Sequence, residues 1–301
     1  AQGAWRPARP IRLVVPYTPG GGADTTARLL AGPMGAALGP PLVVENRPGA
    51  GGSIGAAEVA RAAPDGHTLM CDASAHAVNP AVLRGLPFDY ATAFTPVSQV
   101  TVIPMVVLVP AKARAGTLAE LVRDLHARPG QPYGSAGNAT APHMAAVLFL
   151  ARAGAEATHV PYRGGSAMLP DLIAGSLAFA FGTVAYAVEL VRQGQAKALG
   201  VTSRERVAPL PEVLTIAEQG YPGYELNEWN GLYGPAGLPE ATTAAVCDAA
   251  KRALADPQVK ERLGALGAIG LGTDPGPFAR FVSEQRALMA RLVRENNIVA
   301  D

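Results

Sequence analysis

Apolar and polar positions follow two rhythms along this chain. Short apolar runs, too short for a helix and rich in β-branched residues, read as buried strands. They fall at Ile11–Val15, Pro41–Glu45, Thr68–Cys71, Val97–Val100, Met105–Val109, Pro132–Gly134, Thr158–Val160, Leu177–Phe181, Lys197–Val201 and Gly231–Gly234. Between them apolar residues recur at helical spacing. Ala27, Leu30, Ala31, Met34 and Leu38 mark a first helix that Asp24 or Thr25 could cap, although Gly32-Pro33 predicts a kink or early break in it. Thr117 and Glu120 form a capping box opening a helix to about Ala127. Further helices are expected from the Asn46–Gly55 loop to about Ala62, over Pro142–Ala151, near Ser166–Ala174 and Ala185–Arg192, and across Glu240–Ala255, Pro257–Leu266 and Pro277–Asn296. Ser74, His76 and Asn79 fall in a loop after the third strand. Such alternation implies an α/β protein with parallel sheets and helices on both faces.

One arrangement occurs twice. The first strand runs into Pro16–Asp24, where Gly20, Gly21 and Gly22 free the backbone and leave amide groups uncovered just before a helix. Strand, glycine loop and helix N-terminus can hold a small anion by backbone N–H groups, or can serve simply as a tight turn. A hundred residues later Ser135–Thr140 repeats the unit before the Pro142 helix, with His143 in its first turn. His143 could donate to a ligand oxygen or pack on the loop; Tyr162 could wall a cleft or be an ordinary half-buried tyrosine. In open α/β sheets ligands bind at the carboxyl ends of strands, where both loops sit. On separate lobes they would form a clamp.

Composition narrows the classes. At 301 residues the chain is long enough for two lobes. It is 49% hydrophobic and only 16% charged, and its net charge of +1 comes from dispersed Lys and Arg, which argues against nucleic-acid or membrane-surface partners. The long uncharged windows, 91–111 and 131–151, are broken by prolines, so neither is the apolar helix of about 20 residues a bilayer needs. The chain opens on Ala1 rather than Met, as an exported product that has shed its leader, or a trimmed chain, would. Cys71 and Cys247 could form one bridge in an oxidising compartment, but two buried free thiols are the favoured reading. Neither glycine loop fits a dinucleotide fingerprint, no phosphate-loop motif occurs, and the five histidines have no metal-ligand spacing, so no cofactor and no metal are expected. Gly51-Gly52-Ser53-Ile54-Gly55 does match a nucleophile elbow, which raises a secreted serine hydrolase using Ser53 as the alternative from another class. That elbow needs a strand running directly into the serine, and Asn46–Ala50 intervenes.

A wider set of stretches carries a resemblance. Pro10-Ile11-Arg12-Leu13-Val14-Val15-Pro16-Tyr17, Pro19-Gly20-Gly21, Val43–Gly52 with Ile54-Gly55, Ala62–Gly66, Ser135–Asn138, His159–Tyr162, Leu199–Ser203 and Pro235–Gly237 run in order almost end to end. Together they resemble the Bug receptors, the extracytoplasmic solute receptors of the tripartite tricarboxylate transporter family. The resemblance implies a two-lobed periplasmic-binding-protein (Venus flytrap) architecture, with a central sheet flanked by helices in each lobe. It implies no enzyme, but a periplasmic protein that closes on a small mono- or dicarboxylate, aliphatic or aromatic, and presents it to membrane transporter subunits. A retired receptor acting as a sensor through a partner protein would look the same.

Carried over by position, the ligand contacts implied are Tyr17, Pro19, Gly20, Gly21, Gly22, Ala23 and Asp24, with Ser74 and His76, from the first lobe. The second lobe would supply Ser135, Ala136, Asn138, Ala139, Thr140, His143, Tyr162 and Thr183, largely through backbone amides and bridging waters. On this reading Ser53 is structural. Residues 1–103 and 231–301 would form the first lobe and 104–230 the second, with crossings near Val102–Met105 and Trp229–Gly231. Tyr17, Tyr162 and Trp229 could line a pocket for an aromatic carboxylate. Three departures bear on specificity: Ala139 replaces a frequent glycine, Gly182-Thr183 a frequent acid or amide, and His76 a small or hydroxyl residue.

Overall fold

The computed structural model describes residues 4–300; Ala1, on which the leader expectation rests, lies outside them. The chain groups into two units, one holding the residues up to Val102 with Trp229–Arg291, the other Ile103–Glu228 with the chain from Leu292.

In the first unit, β1 (Ile11–Val15), β2 (Leu42–Asn46), β3 (Thr68–Ala73), β4 (Phe94–Ile103), β10 (Glu228–Pro235) and β11 (Ile269–Gly270) form one sheet. Its order is β11-β4-β10-β3-β1-β2. Around it lie α1 (Gly22–Leu38), α2 (Ser53–Ala60), α3 (Ala75–Val82), α8 (Glu240–Ala255), α9 (Pro257–Ala265) and α10 (Pro275–Asn296). The second unit holds β5 (Met105–Pro110), β6 (Gln131–Ser135), β7 (Ala157–Pro161), β8 (Phe179–Thr183) and β9 (Ala196–Val201), ordered β7-β6-β8-β5-β9. Its helices are α4 (Leu118–Ala127), α5 (Ala141–Ala153), α6 (Leu169–Ala174) and α7 (Val184–Arg192).

The sheets are mixed, not parallel throughout. β1 pairs in parallel with β2 and β3, and β6 with β7 and β8. However, β10 runs antiparallel to β3, β11 to β4, and β5 to both β8 and β9. The reason is connectivity. Strands joined by crossover helices come out parallel, whereas β10 re-enters the first sheet from the second unit and β5 follows β4 with only one residue between. β10 also reaches well beyond the expected Gly231–Gly234, and Ser74, His76 and Asn79 lie at or on α3 rather than in a loop. Helix α1 continues through Pro33, so the expected early break does not occur. Leu292 onward groups with the second unit, although residues 231–301 were expected in the first. There Asn296–Val299 share a cavity wall with α5.

Apolar strands explain the cores. All six residues of β5 are buried, as a strand covered on both faces requires. On one face Val106 and Leu108 join Ala180, Leu172 and Leu190. On the other, Phe181 of β8 meets Phe149 of α5, ring centroids 6.1 Å apart. In the first unit Trp229 is 1% exposed and packs edge-on against Phe278 and Phe281, so it belongs to the core rather than to a pocket wall. A polar tie crosses this core: Thr26 and Thr101 both donate to the Asn230 side-chain carbonyl, at 2.9 and 3.0 Å, joining α1, β4 and β10.

Gly231 is the tightest point. A Cβ there would lie 2.3 Å from Phe278 Cζ. Gly231→Ala is therefore expected to lower stability by about 1–3 kcal/mol, the usual cost of overpacking, seen as a reduced urea midpoint. An unchanged midpoint would mean that Phe278 swings aside freely.

Candidate functional site

The first candidate loop follows β1, whose C-terminal end adjoins that of its parallel neighbour β3. Thr18, Pro19, Gly20, Gly21 and Gly22 are exposed, whereas Ala23 and Asp24 are buried. Gly20 takes φ +94°, a left-handed conformation costly for any side chain. This backbone is held from beneath by Asp24, whose carboxylate accepts the Gly20 N–H at 2.9 Å, the Asn46 amide at 2.9 Å and the Arg28 guanidinium at 3.0 Å. Asn46 also donates to the Tyr17 carbonyl and accepts from Arg28. Asp24 is thus occupied internally, and its role is to shape the loop. Burial alone would raise its pKa, but the Gly20, Asn46 and Arg28 bonds outweigh it and hold the group below 3.8.

Tyr17 turns toward a second carboxylate. Its hydroxyl donates to Asp72 Oδ1 at 2.6 Å, and Asp72 Oδ2 lies 2.9 Å from His76 Nδ1. His76 is 1% exposed and stacks on Tyr233 with centroids 4.1 Å apart, flanked by Tyr90 and Phe94. The structure therefore places His76 behind the loop, as a support; Ser74 is also buried. Sequence reasoning missed Asp72, Asn46 and Arg28. An aspartate ending the apolar run Thr68–Ala73 was the available signal for the first.

In the second unit the ends of β6, β7 and β8 lie side by side, bringing Ser135–Thr140, Tyr162 and Thr183 to one sheet edge. The Tyr162 N–H donates to the Ser135 carbonyl and the Gly164 N–H to the Ala136 carbonyl. Ser135 Oγ accepts the Gly137 N–H at 3.1 Å and lies 2.6 Å from His159 Nε2. Thr140 Oγ1 donates to the Gly137 carbonyl, and the Ala139 N–H donates to His143 Nδ1 at 3.0 Å. The His143 and His159 rings stack at 3.6 Å with 7° between planes, so His159, which sequence reasoning set aside, belongs to this assembly. Tyr162 donates to Asp171 at 2.5 Å; burial and that carboxylate push its pKa up to about 12.

Helices α1, α5 and α7 begin at these edges on Gly21, Thr140 and Thr183, and none of the three has a side-chain cap. Thr117 caps α4 and Asp256 caps α9, whereas α2, α3, α6 and α8 also start without a side-chain cap, so what sets α1, α5 and α7 apart is that they start at the strand ends beside the candidate loops. The uncapped first turns present N–H donors and the positive end of a helix dipole, the physical requirement for an anion site. Ser53 offers no comparable chemistry: its hydroxyl donates to the Ala50 carbonyl at 2.8 Å, and β2 ends seven residues earlier. Among the described residues no cluster suits a metal ion and no helix is long and apolar enough to cross a membrane. Cys71 and Cys247 are buried free thiols.

Two α/β units, each with a loop of glycine or small residues running from a strand end into a helix without a side-chain cap, match the class of periplasmic-type binding proteins. The sequence matches the tripartite tricarboxylate transporter family receptors over residues 26–298, and the chain belongs to that family. A protein encoded in the tcbD–tcbE intergenic region of a Pseudomonas species is 36% identical over 297 residues, covering 98% of this chain and 88% of its own. BugT of Bordetella pertussis is 32% identical over 292 residues, covering 96% and 90%. Among solved structures, Rpa4515 of Rhodopseudomonas palustris with adipate superposes with a TM-score of 0.81 at 31% identity, covering 98% of this chain and 99% of its own. MatC from the same organism with bound malate gives 0.77 at 32%, covering 95% and 99%. These relatives are solute-binding receptors, not enzymes, and the fold class is the two-lobed periplasmic-binding-protein architecture.

Two outcomes follow from the loop geometry. A depressed folded-state pKa gives stability that is present above the unfolded value, near 3.8, and lost as pH falls through the lower folded value. Urea unfolding from about pH 6 to about pH 3 should show a steep acid limb that Asp24→Asn flattens; parallel curves would show the carboxylate is not held in its ionised form. Ala139 sits at φ +63°, where an L side chain is strained and glycine is not. Ala139→Gly should raise stability by about 0.5–1 kcal/mol, and a loss would mean that chain entropy outweighs the strain.

Proposed function

We propose that this chain is a periplasmic receptor that captures a small carboxylate-bearing solute and presents it to the membrane subunits of a tripartite tricarboxylate-type transporter. The observation that carries the reading is the pair of strand–loop–helix units, at α1 and α5, whose first-turn amides have no side-chain cap. Neither loop contains Lys or Arg, so backbone donors and helix dipoles would supply the attraction for a carboxylate. Tyr17, Pro19–Asp24, Ser135, Ala136, Asn138–Thr140 and His143 form or brace these loops, with Tyr162 and Thr183 beside the second. Malate in one relative and adipate in another favour an aliphatic dicarboxylate as the first candidate.

The test removes one amide without disturbing the fold. Gly22 is the first residue of α1, where proline is tolerated, and Gly21 before it is extended at φ −76°, ψ 175°, as a residue preceding proline must be. Malate and adipate are titrated calorimetrically into the parent protein, Gly22→Ala and Gly22→Pro. Binding should survive in the alanine variant and weaken about tenfold or more in the proline variant, the worth of a hydrogen bond to a charged group. Equal affinities would remove the α1 amide from the site; no binding of either acid by any of the three would overturn the dicarboxylate reading.

A further inference from the structure

A cavity of about 700 Å³ lies in the second unit at the edge of the sheet where β6 and β8 begin. Ser135–Thr140 and Thr183 stand at the finishing ends of the same strands, and no residue of the candidate loops lines this cavity. Its volume lies within the range of small-molecule pockets, about 300–1,000 Å³. Val109, Leu121 and Leu177, all buried, give it an apolar lining.

Three cations line the same cavity: Lys112 and Arg114 from the connection between β5 and α4, and Arg128 just after α4. Among the described residues none of the three is in an ion pair. Asp124 is the single carboxylate among the lining residues, so two positive charges stay uncompensated. Like charges gathered around one concavity repel, and a bound anion relieves that repulsion. The frame that carries them is fixed. Lys197 Nζ donates to the Ala113 carbonyl at 2.6 Å, between Lys112 and Arg114. Gln131 Nε2 donates to the Asp124 and Arg128 carbonyls at 3.2 and 3.1 Å, tying the end of α4 to the start of β6. Gly175 leaves room for the lysine stem, since a Cβ there would lie 2.6 Å from Lys112 Cε. Two arginine forks and a lysine suit the three oxygens of a phosphoryl group, whose charge near −2 matches the two positive charges.

We infer that this cavity is a second ligand site, taking a small phosphate monoester with its phosphoryl group on Arg114, Arg128 and Lys112 and its apolar body on Val109, Leu121 and Leu177. It stands apart from the carboxylate reading, because its contacts are cationic side chains at the opposite edge of the sheet. The probe is phenyl phosphate, titrated calorimetrically at low ionic strength, with each variant's thermal unfolding confirming the fold. The parent protein should give saturable binding, tighter than that of inorganic phosphate. Arg114→Gln and Arg128→Gln, at exposed positions, should each weaken it about tenfold or more, and Asp124→Asn should tighten it. Arg84→Gln, an exposed arginine of the first unit, and Gly22→Pro, in the candidate carboxylate loop, should leave it unaltered. Absence of saturation, inorganic phosphate binding as tightly as the ester, an unaltered dissociation constant in either arginine variant of the cavity, no gain in Asp124→Asn, or a loss in Arg84→Gln or Gly22→Pro would overturn the assignment.

Discussion

The carboxylate of Asp24 is the constraint on which the first loop depends. A run of exposed glycines has no preferred shape of its own and would lose much conformational entropy on ordering. Asp24 fixes it by accepting the Gly20 N–H, while Asn46 ties the same carboxylate to the Tyr17 carbonyl. The charge is then balanced by Arg28, one turn along α1. Without that cation a buried carboxylate at the start of α1 would oppose any incoming anion. With it, the loop stays shaped and the local charge is close to neutral, so the helix end keeps its positive potential.

The second loop is braced instead by a hydroxyl and two imidazoles. Ser135 Oγ closes on Gly137 and His159, while His143 takes the Ala139 amide. One loop therefore rests on an ion pair and the other on a stacked pair of imidazoles. In both, polar side chains brace the backbone from within, and the uncapped helix starts are left to whatever binds.

Much of this was legible in the sequence. The short β-branched runs fixed most strands, and the glycine and small-residue loops marked both helix starts, because those signals are local. What was not legible depended on pairing across the chain. Nothing near Gly231 announces that its strand enters the first sheet antiparallel to β3, since strand direction is set by where the chain re-enters. The family resemblance implies Asp24 and His76 as ligand contacts by position alone. Their partners, Asn46 and Asp72, are 22 and 4 residues away, and only folding reveals that the polar atoms face inward.

The proposed use of backbone amides bears on what a receptor must do, which is release as well as bind. A buried Lys or Arg matched to a carboxylate would be left uncompensated each time the solute departed, a state costing about 3–5 kcal/mol when such a pair is broken. Amides at exposed helix starts lose far less, because water replaces the solute on the same N–H groups. On the proposed reading, affinity would be spread over several modest contacts, each of which can be surrendered singly. On the same reading, bracing by Asp24 and His143 would keep that exchange from collapsing the site, since Asp24 accepts the Gly20 N–H and His143 the Ala139 N–H whether or not a solute is bound.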